Sequence, residues 1–417
     1  MVSIMTLAAC GLTDNPFAND GFVPDDGDTA QVDASNPAAN ELLIPQLLEP
    51  AQGDVARFDL SLGASKHDFG SGVPTETVSY NGQSILGPTL RWESGSGVEL
   101  HVTNDLDEGT TAHWHGADVP AEDDGGPHSR IDPGETWVAE FEVIQPAATL
   151  WYHPHMMGTS VEQVYRGAAG MIIVDDDNPA AAALPSTYGV DDIPVILQDR
   201  EFAADGQLSF EIDNDDNGDL NPDLTVNGTI DPHTTVPAGP VRLRLLNASQ
   251  ARVYELSVDN GTMTKIASDG GYLPSPVELD TITLGPGDRA EIIVDTSAGT
   301  VALLDSEFGR VLELRPDDSL PAAEFPPDQL AEIDVITVDE IDNDRTFVMD
   351  ELADGWGING NRMDMGRMDH TIRFGDTERW TITVEDGIHT FHVHQTQFQI
   401  LSINGEPPPP EHAGWED

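Results

Sequence analysis

The chain has 417 residues, enough for two or three domains with substantial cores at about 150 residues each. Asp and Glu outnumber Lys and Arg by 75 to 18, for a formal net charge of −57; such a surface repels nucleic acid and anionic lipid and excludes both as partners. The single cysteine, Cys10, excludes an internal disulfide framework and any cysteine-rich zinc site.

Only Lys66 and Lys265 are lysines, and high acidity with scarce lysine suits a protein kept soluble at high salt, where self-repulsion is screened. At the N-terminus, Leu7 to Gly11 (LAACG) sets an apolar residue and two small ones before Cys10. This resembles the lipobox of bacterial lipoproteins, which implies a signal remnant over 1–10, a lipid anchor through Cys10 and an extracytoplasmic location in the periplasm or at the cell surface. Residues 11–50, rich in Asp, Asn, Pro and Ala, read as a disordered acidic tether. No run of 18 apolar residues exists, so no spanning helix is expected.

From residue 51 onward, short alternating runs separated by Gly-Pro, Asn-Gly and Asp-Gly dominate. They predict an all-β chain of Greek-key β-sandwich domains. A pattern of strand, loop and second strand recurs three times. Val98 to Asn104 (VELHVTN) precedes His113-Trp114-His115, Val241 to Asn247 (VRLRLLN) precedes Tyr254 to Leu256, and Arg379 to Val384 (RWTITV) precedes Phe391 to His394. A further landmark repeats as PGETWVAEFEV from Pro133 and PGDRAEIIVDT from Pro286. The repeat implies three related domains, at 51–178, 190–325 and 335–417. Landmark strands of the third begin near residue 347, leaving about 70 residues where a sandwich takes about 100, so that domain reads as incomplete.

Seven of the 13 histidines fall in three clusters: His113 and His115; His153 and His155; His389, His392 and His394. Roughly 0.4 His-x-His pairs are expected by chance in this composition, and three occur, so the clusters mark a metal site. Residues i and i+2 of a strand share a face about 6.8 Å apart, a spacing that suits two neighbouring metals better than one. Three such pairs surround a group of metals, while His389 breaks the alternation with His392 and points to a separate site. All-imidazole ligation favours copper over magnesium or calcium. The first and third repeats carry the histidines, which places the metals between the outer domains with the middle one as spacer.

His113 to Gly116 (HWHG), Trp151 to Met156 (WYHPHM) and His389 to His394 (HTFHVH) resemble the first three copper motifs of the multicopper oxidases. The stretches from Asp124 (DGGPHSRIDPGE), Arg166 (RGAAGMIIVDD), Arg242 (RLRLLNAS) and Leu284 (LGPGDRAEIIVD) are similar to that family as well, above all to three-domain bacterial cuprous oxidases and bilirubin-oxidase or laccase-like enzymes. The resemblance implies cupredoxin-like domains and copper of types 1, 2 and 3. His113 and His392 would hold the type 2 ion, His115, His153, His155 and His394 the type 3 pair, and His389 the type 1 ion. Asp124 matches the family carboxylate that orients the cluster water and helps deliver protons. It further implies one-electron oxidation of a phenolic or metal-ion reductant such as Cu(I), coupled to four-electron reduction of dioxygen, in a monomer.

Two residues or groups depart from the pattern. Thr390 stands where the third motif has proline, and the family's fourth motif, which supplies the type 1 thiolate, is absent. A blue-copper site needs a cysteine beside its histidines. The chain is therefore expected to be truncated before that motif and inactive as it stands, with a copper-binding protein without turnover as the alternative. Among weaker signals, Met363, Met365 and Met368 offer soft thioethers, though packing is their commoner role. Asp213 to Asp223 partly resembles a calcium loop but has Leu224 where the closing Glu belongs, and reads as a solvated acidic loop.

Overall fold

The computed structural model describes residues 2–9 (backbone), 40–51, 55–210, 220–352, 355–384 and 389–417. Strands dominate among the described residues, joined by short loops, one α-helix of six residues, Ser160–Tyr165, and three short 3-10 helices. The first unit is a sandwich. One sheet runs in the order Leu47–Leu48, Thr89–Glu93, Gly170–Asp175, Ala148–His153, His113–His115. The other runs Thr75–Tyr80, Ala56–His67, Gly97–Asn104, Thr136–Glu142. Gly97–Asn104 alternates between half-buried and buried along its whole length, so Val98, Leu100 and Val102 face the core while Glu99, His101 and Thr103 turn away. Phe58, Leu60, Trp92, Trp114 and Leu150 fill the space between the sheets.

The second unit pairs a six-stranded sheet with a five-stranded one over residues 192–317. Its strand Pro240–Asn247 is buried at every position. Val241, Leu243 and Leu245 enter the second core, while Arg242 and Arg244 on the opposite face are covered by the first unit. There they form a closed network. Arg244 binds Asp192 and Glu291, Arg242 binds Glu291, and Thr149 of the first unit donates to Glu291 at 2.7 Å and accepts from Arg244 at 2.8 Å. Two cations face two carboxylates, so the buried interface is neutral and its charges are paired. Trp151, Met171, Ile85 and Leu86 of the first unit meet Ile196, Leu246 and Ala248 of the second in an apolar cluster beside it.

The third unit contributes a single sheet among the described residues, ordered Gly355–Ile358, Asn343–Leu352, Thr377–Val384, Val2–Ala9, Phe398–Ile403. Phe347, Trp380, Ile382 and Phe398 form its small core. Val2–Ala9, within the segment the sequence assigns to a signal remnant, runs parallel to both neighbours. Cys10, most of the tether and residues 211–219 of the acidic loop lie outside the described residues.

Residues 40–50 depart from the tether reading. Leu42 is buried in the second core, its N–H donates to the carbonyl of His233, and Leu47–Leu48 pairs with Thr89–Glu93. The apolar pair Leu42-Leu43 finds a core there, which the surrounding Asp, Asn and Pro concealed in the composition. No helix among the described residues is long and apolar enough to cross a membrane.

Candidate metal centre

His113–His115 pairs antiparallel with Ala148–His153, which sets His113 opposite His153 and His115 opposite Trp151. Trp114 points into the first core, so strand alternation turns His113 and His115 together to the other face. Pro154 lacks a backbone donor and ends the second strand, and His155 follows it with its N–H bonded to Thr111 Oγ1 at 2.6 Å. His392 and His394 lie between the strands Thr377–Val384 and Phe398–Ile403. The spacing argument placed all three pairs on strands; the first occupies one throughout, the second only through His153, and His155, His392 and His394 are brought in by irregular backbone.

The six rings nevertheless converge from two domains. His115 stacks on His392 with centroids 3.7 Å apart, and His113 on His394 at 4.0 Å. His153 and His155 stand 5.4 and 5.3 Å from His113, and His155 is 4.9 Å from His394. Donor atoms of three sets lie within 4.8 Å of one another: His113, His115 and His153; His113, His392 and His394; His115, His392 and Asp417. His389 is set apart, with its ring edge-on to Trp356 at 4.4 Å, beside a cavity of about 560 Å³ that Phe347, Met349, Met363 and Phe391 help to line.

Burial lowers the pKa of His113 to about 4 and pushes those of His115 and His153 well down, so these rings are neutral at ordinary pH. Neutral imidazole is the ligand form. The Nδ1 atoms are fixed as donors, because their partners are oxygens that only accept. His113 donates to the Asp124 carbonyl at 2.9 Å, His153 to the Pro154 carbonyl at 2.8 Å and His394 to Asp124 Oδ2 at 2.9 Å. The neutral rings of His113 and His153 therefore present a bare Nε2, and that of His113 is buried with no hydrogen-bond partner. An outer oxygen on one ring nitrogen and a free lone pair on the other is the arrangement of a metal-bound histidine. The donor set thus fits copper.

Two carboxylates serve the cluster. Burial pushes the Asp124 carboxyl up, but hydrogen bonds from His113 and His394 outweigh it and hold it well below the usual range. Its Oδ1 is buried without a partner. The second is Asp417, whose Oδ1 lies 3.3 Å from His115 Nε2 and 3.4 Å from His392 Nδ1. Burial raises this carboxyl too, yet Arg289 more than offsets it and keeps Asp417 ionised. Sequence reasoning passed over Asp417, since nothing local distinguishes it among 75 acidic residues. Met363 and Met368 are exposed on their loop, which is tied to the first domain through His128 Nε2 and the Met365 carbonyl at 3.2 Å. Among histidines outside the motifs, His67 bridges Ser84 and the Gly228 carbonyl, each at 2.9 Å, in a structural role.

Sequence profiles described as multicopper oxidase match residues 62–179, 210–303 and 328–417. Multicopper oxidase mco of Staphylococcus aureus is 34% identical over 394 residues, covering 92% of this chain and 84% of its own. The cell division protein FtsP of Edwardsiella tarda is 38% identical over 403 residues, covering 90% and 83%. The laccase-like multicopper oxidase CueO of Ochrobactrum sp. superposes with a TM-score of 0.84 at 35% identity over 90% of each chain. The all-β units are accordingly those of a multi-domain cupredoxin-like fold. With six imidazoles gathered between its outer domains and relatives that match it along nearly its whole length, the chain belongs to the multicopper oxidase family.

Proposed function

We propose that the chain carries the dioxygen-reducing centre of a copper oxidase, which takes single electrons from a phenolic or metal-ion reductant. Four electrons and four protons convert one dioxygen to two waters. The observation that carries this reading is the convergence of six imidazoles from two domains, with His113 and His394 both tied to Asp124. Copper in this site supplies one-electron redox chemistry and a place for dioxygen to bind.

In this reading His113 and His392 hold the type 2 ion, and His115, His153, His155 and His394 the type 3 pair. His389, apart from the six, belongs to the type 1 site at which electrons enter. Asp124 orients His113 and His394 through its carbonyl and Oδ2, and its unpartnered Oδ1 accepts and passes protons toward the cluster. The cavity beside His389, with Phe347, Phe391 and Met363 along it, is the place we assign to the reductant. The lipobox-like stretch at Cys10 supports an extracytoplasmic, lipid-anchored protein, which mass spectrometry of the mature N-terminus checks.

A second reading, copper binding without turnover, is favoured by one observation: among these 417 residues the one cysteine, Cys10, stands far in sequence from His389. Relatives of comparable identity carry the name cell division protein FtsP, which states no oxidase activity. A single-turnover experiment separates the two. The copper-loaded chain is reduced anaerobically by a small reductant, which bypasses any entry site, and then mixed with dioxygen. Reoxidation of the bound copper with dioxygen consumed, reaching four electrons per dioxygen when the small reductant is kept in excess, supports the oxidase, and bound copper that stays reduced supports the second reading.

A further inference from the structure

The middle domain holds none of the seven motif histidines, and the sequence makes it a spacer. The cluster of side chains around Arg289 indicates otherwise. Arg289 opens the strand Arg289–Asp295 of that domain, and its side chain is fully buried. All five of its N–H groups are engaged, across three domains. Nε donates to the carbonyl of Thr149 at 3.1 Å, on the first-domain strand that ends in His153. Nη1 donates to the Gly287 carbonyl at 3.2 Å and to Asp417 Oδ1 at 2.9 Å. Nη2 donates to the Asp269 carbonyl at 3.1 Å and to Asp417 Oδ2. The grip on Asp417 is therefore bidentate, the geometry that fixes a carboxylate in orientation as well as position.

The held carboxylate reaches both outer domains. Its Oδ1 is the atom that lies 3.3 Å from His115 and 3.4 Å from His392, one ligand candidate from each. Two glycines permit the approach. A Cβ on Gly116 would lie 2.4 Å from Asp417 Oδ2 and 2.5 Å from Arg289 Nη2, and one on Gly287 would lie 3.3 Å from His115 Cε1. Both have positive φ, at +87° and +90°, where other residues are strained. The middle domain thus reaches the cluster with a charge, a carboxylate held by it, and its own backbone.

We propose that Arg289, acting through Asp417, is a positioning residue that holds His115 and His392 in register across the domain boundary, so that they share one metal centre. Lysine cannot reproduce this role, because a single ammonium cannot span both carboxylate oxygens and the Thr149 carbonyl in one plane. The inference rests on the copper reading above.

The test titrates copper into the full chain against a competing chelator and records the electron paramagnetic resonance spectrum of the bound Cu(II). Four proteins are compared: the unaltered chain, Arg289→Gln, Asp417→Asn and Arg252→Gln. Arg252 is a buried arginine of the same domain, paired with Asp199 and Glu307 and not with Asp417, so its variant reports general damage. Loss of an outer partner of a ligating histidine costs about 10–100-fold in metal affinity. Arg289→Gln and Asp417→Asn are expected to lose affinity by that amount and to share an altered spectrum, while Arg252→Gln keeps the spectrum of the unaltered chain. If Arg289→Gln fails to fold, Asp417→Asn reports the same contact from the other side. Copper binding by the unaltered chain with unchanged affinity and spectrum in Asp417→Asn overturns the positioning role alone. Absence of copper binding by the unaltered chain overturns the copper reading and this inference with it.

Discussion

The imidazole of His115 lies face to face with that of His392, centroids 3.7 Å apart, although one belongs to the first domain and the other to the third. Asp417 Oδ1 touches both rings, and Arg289 of the middle domain holds Asp417. The metal centre is therefore a junction of three domains rather than a pocket within one.

Residues that act on one centre are non-additive when removed. His115→Gln and His392→Gln are each expected to lower the copper bound per chain, and the double variant to lose little more than either alone. Copper analysis after gel filtration measures this. Strict additivity of the two losses would show that the ions they hold are bound independently of one another.

The methionine loop gives a substrate test. Met363 borders the cavity beside His389, and Met363 and Met368 are exposed. If these thioethers and that of Met365 receive Cu(I), replacing all three by leucine in a protein that also carries the fourth copper motif raises KM for Cu(I) several-fold and spares phenol oxidation. Steady-state oxygen uptake with both reductants checks it, and equal loss on the two would assign the methionines to packing.

The charge of −57 makes a prediction about salt. Self-repulsion is unscreened at low ionic strength, so the folded state is least stable there. Thermal midpoints followed by circular dichroism should rise from about 0.1 M to a few molar KCl. A flat or falling series would remove the link between this composition and high salt.

Asp288 supplies a pH dependence. Burial pushes its carboxyl up to about 6, against the hydrogen bond from the Gly285 N–H and with help from Glu416. A carboxyl raised on folding contributes stability below its unfolded value near 4, and that contribution is lost as pH rises through about 6. Asp288→Asn keeps an acceptor for Gly285 and removes the titration. Relative to the unaltered chain, the variant should gain about 1–2 kcal/mol between pH 4 and pH 7.5, with the discount that partial exposure requires. Chemical denaturation at the two pH values measures the difference, and no relative gain would contradict it.

The sequence by itself determined the strands and singled out the histidines that the fold brings together, because both are local patterns. In Val98 to Asn104, apolar and polar side chains alternate with the period of a strand, and the structure buries Val98, Leu100 and Val102 accordingly. His-x-His pairs occur too often for chance in this composition, and their six rings do meet. Tertiary structure alone decided what surrounds them. Irregular backbone, not strand pleating, delivers His155, His392 and His394. Arg242 and Arg244 alternate with leucines as solvent-facing residues would, yet they are buried, paired with Asp192 and Glu291 of their own domain and met by Thr149 of the first. Leu42 lies in an acidic, proline-containing segment and still enters a core. Arg289 and Asp417 carry no local mark at all: a guanidinium gains its role from acceptors on three domains, and which acceptors converge is a property of how the domains pack. Periodicity and composition are summed over neighbours in the chain, whereas a buried charge is stabilised by partners distant in it, and only the folded arrangement sets those distances.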